Sequence, residues 1–428
     1  MNDLAEHCTY IEEPISTLYK GYRVHELPPP TQGIAALIAL NILTELHLLN
    51  PIPSDTPLDT VVDTHLAIEA MRLALADTLE YVADPKHAPN YVQPLLSKSY
   101  AQSRAALIKC TQAATVYAGE LNNSSTSSSS SSNSNSNNDN NPFATSETVY
   151  FSVVDREGNG CSMINSNYEG FGTGMVPAGC GFTLQNRAHN FSLDPKHPNR
   201  AAPRKKPYHT IIPALVTRES DGSLYSVLGV MGGFMQPQGH VQVIRNLVDF
   251  KMNPQQALDA PRWRVEGAGN SQSATELQES RLLMEDGFKG DGNGSNVVAV
   301  RSEGDEDGDG GGDGEGGKRN PIESETIEQN KRRRLMAVEK EITVLEGLVR
   351  MGHHITIKRL SQRGLFGRGQ VIVRDEGSGV LQGGTDPRAD GICVPQLAKG
   401  VVDGPSSGSS SSSSSSGSSG SGSGSGSR

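Results

Sequence analysis

Thr148 stands at the head of the run TVYFSVVDREGNGCSMINSNY, directly after a Ser/Asn-rich stretch and directly before an apolar segment. A threonine hydroxyl is a poor nucleophile in water. If the chain is cut before it, the freed α-amine sits on the same residue and can act as its base, so one residue supplies both roles. On propensity alone, a β-branched residue at that position simply opens a strand. Other routes to catalysis are closed: the sequence has no Gly-x-Ser-x-Gly elbow and no Walker loop, and the Gly-rich run 308–317 is interleaved with acids that would repel a phosphate. Metal-type spacing is absent, and His353-His354 in MGHHITIKR reads as a solvated strand entry rather than a ligand pair. Neither a metal nor a cofactor is expected.

The elements that must hold such a residue are legible in part. Between residues 31 and 48, Ile34, Leu37, Ile38, Ile42, Leu43 and Leu46 recur at helical spacing. Pro28, Pro29 and Pro30 fence one end and Pro51 the other. Residues 59–82 repeat the pattern through Val62, Leu66, Met71, Leu75 and Leu79, so this first block reads as helical. After Thr148 the texture becomes strand-like, in runs at 149–155, 161–168, 211–218 and 225–231, with turn signals at Glu157-Gly158-Asn159 and Asp221-Gly222-Ser223. A helix over 238–250 follows, and strands flanked by helices predict a sheet packed under helices.

Composition sets the outer limits. With 38 Lys+Arg against 48 Asp+Glu, the net charge of -10 argues against a general nucleic-acid binder. Only 35% of residues are hydrophobic, too few for one compact domain of 428 residues. The shortfall sits in three low-complexity stretches, 122–141, 268–334 and 404–428, which cannot bury enough apolar surface to order. The remainder is enough for a large core or two small domains. Nothing at the start reads as a signal peptide and no run is long enough to span a bilayer, so no membrane role and a cytoplasmic location are expected. Five scattered cysteines fit neither a disulfide framework nor a zinc site and read as mostly buried thiols. Lys318-Arg319 and Lys331 to Arg334 have the spacing of a bipartite nuclear signal, or counterbalance the acidic run before them.

Several blocks resemble the gamma-glutamyltranspeptidase family in the right order: YKGYRVHELPPPTQG, TVYFSVVDREGNG, NSNYEGFGTGMVPAGCGFTLQNRAHNFS, NRAAPRKKPYHTIIPALV, VLGVMGGFMQPQGHVQVIRNLVDF, NPQQALDAPRWRVEG and RGLFGRGQVIVRDEGSGVLQGGTDPRADG. The resemblance implies an αββα four-layer sandwich of N-terminal-nucleophile hydrolase type, α+β in class. It also implies a proenzyme that cuts itself between Glu147 and Thr148 into a large and a small chain that stay associated. On that scheme 1–121 is the later part of the large-chain region, the sandwich being incomplete at its N-terminus, and 122–147 is a disordered segment ending at the cut. Residues 148–267 and 335–403 form the small-chain core, split by the acidic insert 268–334, and 404–428 is a tail.

Carried over residue by residue, the resemblance makes Thr148 the nucleophile and Ser166 the second hydroxyl beside it. It makes Gly232 and Gly233 the oxyanion-binding glycines, although a Gly-Gly pair alone reads as a strand-to-helix turn. Where glutathione-type members hold a substrate ammonium and carboxylate, this chain carries Tyr168, Arg187, Asn190, His209 and Thr210. The change replaces an acidic partner with a guanidinium, which disfavours a γ-glutamyl donor. NSNYEGFGTG, GFTLQNR, KPYHTIIPAL and GVMGGFMQPQGHVQV are more similar to the oxamate amidohydrolase branch, which implies a small acidic amide as substrate. Arg187 would suit its carboxylate, or form a structural ion pair; His209 is a polar contact or a packed core residue. Two other readings stand beside this one: glutathione hydrolysis with γ-glutamyl transfer, and a non-catalytic homologue acting through its low-complexity arms.

Overall fold

The computed structural model describes residues 6, 8–49, 60–121, 148–266, 281–288 and 343–395. Glu147, residues 122–141 and 404–428 and both basic clusters lie outside these residues. The stretch 268–334, expected not to order, is described at 281–288, where Leu282–Glu285 form a buried strand because Leu282, Leu283 and Met284 supply the apolar surface the rest of the stretch lacks. The chain divides into two units, Met1–Cys393 and Val394–Arg428, and every element below belongs to the first.

A hairpin of β1 (Ile15–Tyr19) and β2 (Tyr22–Glu26) opens the chain, followed by α1 (Gly33–Leu49), α2 (Val61–Tyr81) and α3 (Lys98–Ala105). Next come β3 (Thr148–Val154), β4 (Gly160–Ser166), β5 (Ala214–Arg218), β6 (Leu224–Met231), α4 (Met235–Val248) and α5 (Pro254–Asp259). The last described elements are β7 (Trp263–Val265), β8 (Leu282–Glu285), α6 (Val344–Arg350), β9 (Ile355–Lys358), β10 (Arg368–Arg374) and β11 (Leu381–Thr385). Six strands form one sheet in the order β1-β2-β5-β6-β10-β11, antiparallel throughout. β3 and β4 form a separate ribbon, and β7-β8-β9 a small third sheet. The first block is therefore not purely helical: its opening hairpin supplies two strands of the main sheet.

Side-chain alternation shows how the layers stack. In β6, Gly229 faces the ribbon, where a Cβ would come within 2.3 Å of the Tyr150 ring. Its neighbour Val230 points the other way, into α4, where it touches Gly239. Gly239 and Gly229 thus let a helix and a ribbon approach opposite faces of one strand. On the helical side, α1 and α2 bury almost every position, from Ile34 to Leu46 and from Val61 to Ala76. Thr60 caps α2 by accepting the Asp63 N–H, satisfying a donor that the first helical turn leaves open. On the ribbon's outer face Val149, Phe151, Val153 and Met163 are exposed. The α+β class is as expected, and the described residues show helices, sheet and ribbon in that order.

The cysteine expectation fails. Only Cys110 is buried, while Cys8, Cys161, Cys180 and Cys393 are exposed. Cys161 shows why: it lies on the outward side of β4, opposite Val153, where residue type does not decide burial.

Candidate active site

Two contacts fix how the ribbon lies on the sheet. Gly160, at its turn end, sits against Leu224 and Leu215, and the Ser162 hydroxyl reaches the Leu228 carbonyl at 3.4 Å. The ribbon's turn therefore covers the start of β6, and its open end runs toward the end of β6, where Gly232 and Gly233 follow. That open end carries Thr148, directly across from Ser166 in the β3–β4 register. Thr148 is 4% exposed, and its hydroxyl donates to Ser166 Oγ at 3.1 Å. Ser166 Oγ also accepts the Tyr168 N–H at 2.9 Å. Tyr168 is held at φ 80°, a conformation a non-glycine residue adopts only under constraint.

Arg187 completes this chain of contacts. Its guanidinium donates to Thr210 Oγ1 at 2.7 Å and to the Ser166 carbonyl at 3.4 Å, and stands over the Tyr168 ring at 5.2 Å. It is 3% exposed, and burial pushes its pKa down to about 10. Among the described residues no carboxylate lies within ion-pairing distance of it, so the structural ion pair allowed for in the sequence has no partner there. His209 adjoins Thr210; burial first, then the Arg187 and Lys206 cations, push its pKa down to about 3, which keeps the ring neutral. Asn190 is the least available of the expected contacts, because its Nδ2 is committed to the Tyr208 carbonyl at 3.0 Å.

Gly232 and Gly233 leave β6 at φ 138° and 60°, and neither N–H is taken by an acceptor among the described residues. A side chain at Gly232 would press on Gly367 Cα at 3.1 Å. Behind it, Arg262 donates to the Phe366 and Gly367 carbonyls and pairs with Asp386 at 2.7 Å. From the first half of the chain, Gln32 reaches the Thr210 and Gly233 carbonyls. Sequence reasoning gave Gln32 no role, although it lies within the matching block PPPTQG.

A second cluster was invisible in the sequence because its members are far apart. His65, Glu69 and His353 bring ligand-type atoms within 4.8 Å of one another, all buried. His353 is therefore not a solvated strand entry; only His354 is exposed. The hydrogen bonds close on themselves. The Lys109 carbonyl can only accept, so His65 Nε2 carries a proton and its Nδ1 accepts from His353 Nε2 at 2.7 Å. Glu69 takes Arg72 on one oxygen and the Ala114 N–H on the other. With the Arg72 cation already neutralising the carboxylate, the group reads as a buried hydrogen-bonded junction rather than a metal site.

These imidazoles predict acid sensitivity. Burial lowers the pKa of His353 to about 2, of His209 to about 3 and of His47 to about 4. Each folded-state value lies below the unfolded one, so their stability contribution is complete above about pH 6.5 and is lost as pH falls, at up to about 1.4 kcal/mol per pH unit for each ring. Asp77 works in the opposite direction, burial raising its carboxyl to about 6. The urea midpoint should therefore be clearly lower at pH 5.5 than at pH 7.5, with the slope unchanged; equal midpoints would contradict it.

A hydroxyl at the inward head of a strand, a second hydroxyl across from it and, past the end of β6, two N–H groups without an acceptor among the described residues suit an N-terminal-nucleophile hydrolase. The chain belongs to the gamma-glutamyltranspeptidase family, whose profile matches residues 1–313. Among its relatives are the glutathione hydrolase-like YwrD proenzyme of Bacillus subtilis, 30% identical over 67% of this chain and 51% of that protein. The oxamate amidohydrolase proenzyme of Klebsiella pneumoniae is 30% identical over 61% of this chain and 44% of its own length. In structure, the chain is similar to the cephalosporin acylase of Bacillus halodurans, with a TM-score of 0.64 and 36% identity, covering 93% of this chain and 55% of that one. The chain thus spans about half the length of the curated relatives it matches. No helix among the described residues is long and apolar enough to cross a membrane.

Proposed function

We propose that the chain is a self-processing threonine amidohydrolase that cuts itself between Glu147 and Thr148 and then hydrolyses a small acidic amide such as oxamate. Thr148 Oγ attacks the amide carbonyl while its freed α-amine takes the proton. The developing oxyanion is stabilised by the Gly232 and Gly233 N–H groups, donors commonly worth about 3 kcal/mol of barrier each. Collapse of the tetrahedral species releases ammonia and leaves an ester on Thr148, which water opens. Ser166 steers the nucleophile through its hydrogen bond. The two segments produced, one ending at Glu147 and one starting at Thr148, remain one assembly.

The observation that carries the substrate choice is the buried guanidinium of Arg187 with no carboxylate beside it among the described residues, which leaves its charge to be met by a substrate carboxylate. A donor with an α-ammonium would instead meet a like charge. The processed protein should release ammonia from oxamate at least about ten times faster than it releases the amine from a γ-glutamyl anilide. A preference for the γ-glutamyl compound would replace this reading with glutathione hydrolysis. A second reading, deacylation of a bulkier acid amide, is favoured by exposed Phe171, Met175, Val176 and Phe182 between Tyr168 and Arg187; faster turnover of a glutaryl amide than of oxamate would support it.

A further inference from the structure

Gln32 lies outside the expected site residues, yet its side chain is fully buried where the site's backbone segments meet. Its Nε2 donates to the Thr210 carbonyl at 2.6 Å and to the Gly233 carbonyl at 2.8 Å. Its Oε1 has no partner among the described residues. That fixes the amide's orientation: turned over, Oε1 would face two carbonyl oxygens and neither N–H would be used. The backbone around it is also tied down, because Gln32 N–H donates to the His209 carbonyl at 2.9 Å and His209 N–H to the Pro30 carbonyl at 2.8 Å. One side chain thus joins the segment that holds Arg187, through Thr210, to the segment that follows the two glycines.

We propose that Gln32 is a positioning residue for the reaction, holding Gly233 so that the oxyanion-binding N–H pair keeps its aim. Glycine at φ 138° and 60° has no side chain to restrain it, so the aim must come from its flanking peptides. The Gly232 carbonyl accepts from Met235 N–H at 3.0 Å, and the Gly233 carbonyl accepts from Gln236 N–H at 3.1 Å and from Gln32. Peptide planes are rigid, so pinning the carbonyl on each side of Gly233 Cα stops its N–H from swinging. Losing Gln32 leaves the Gly233 carbonyl held by Gln236 N–H alone, one point instead of two, and takes from the Thr210 carbonyl its Gln32 donor. The inference rests on the oxyanion role given to the glycines under the proposed function, and not on oxamate as substrate.

The test reads the oxyanion pair with methylboronic acid, which adds to a hydroxyl to give a tetrahedral anion, bound to the self-processed protein. Gln32→Leu removes both hydrogen bonds without adding charge and should weaken boronate binding by about thirtyfold or more, with the melting temperature within a few degrees of wild type. Gln32→Glu sets a buried carboxyl against two carbonyls, so its pKa rises. Protonated, it donates one hydrogen bond; ionised, it repels both oxygens. Its boronate affinity should therefore fall steeply from pH 6 to pH 8 relative to wild type. Gln32→Leu binding within threefold of wild type would overturn the proposal. So would losses that merely track lowered melting temperatures, with no pH dependence in Gln32→Glu. If wild type binds boronate but releases no ammonia from oxamate, the substrate reading fails while this comparison stands.

Discussion

Replacing Thr148 with Ala is expected to leave the protein as a single 45.6 kDa chain with no measurable amide turnover, a loss of roughly 10⁴-fold or more. Wild type should give two bands, the smaller beginning TVYFSV on N-terminal sequencing. Under the proposed function both steps need the same hydroxyl, which would attack the Glu147 carbonyl first and the substrate afterwards. The structure places that hydroxyl inward at the head of β3, bonded to Ser166, whereas its neighbour Val149 points out. Two bands from Thr148→Ala would mean that another agent makes the cut. Thr148→Ser keeps the attacking oxygen and should still process.

Arg187→Gln should separate activity from stability. Losing the guanidinium removes the group expected to meet a substrate carboxylate, so kcat/KM for oxamate-like amides falls by about 100-fold to 1000-fold. Turnover of a γ-glutamyl anilide should rise, because the like charge is gone. The melting temperature, however, should stay level or increase, since a buried cation without a carboxylate costs folding free energy that a neutral amide does not. A melting temperature several degrees lower with oxamate turnover intact would make Arg187 a structural residue.

The sequence made the helices plain and the first hairpin obscure. α1 and α2 carry apolar residues at helical spacing, and prolines bracket α1. In β2 the inward positions are Val24 and Glu26, and the buried Glu26 breaks the apolar alternation that marks a strand. Its carboxyl accepts from His240 Nδ1 at 2.7 Å, 214 residues along the chain, a pairing that no local pattern contains. The same holds for His353, which looks solvated until His65 is brought to it. Strands β7 and β9, of three and four residues, are too short for period-two reading and exist only through β8 between them. Of the candidate site, Thr148, Ser166 and the glycines were reached through family resemblance; the placement of Arg187 with no carboxylate near it among the described residues and the reach of Gln32 needed coordinates. Asn190, expected at the substrate, has its amide nitrogen on the Tyr208 carbonyl, a contact that no local pattern announces.

The order of strands in the main sheet has a kinetic consequence. β1 and β2 come before residue 147, yet β2 hydrogen-bonds to β5, which comes after it. Arg245 pairs with Asp63, His240 with Glu26 and His353 with His65 across the same point. While the chain is continuous, finding these partners is a first-order search at a fixed effective concentration. If the backbone is cut as proposed, an unfolded molecule becomes two diffusing pieces, and reassembly becomes second order. At the nanomolar levels of a dilute enzyme the return path is then far slower than the original one. Cleavage would act as a ratchet: the fold is reached once, quickly, as one chain, and afterwards it is kept by slow unfolding rather than by refolding.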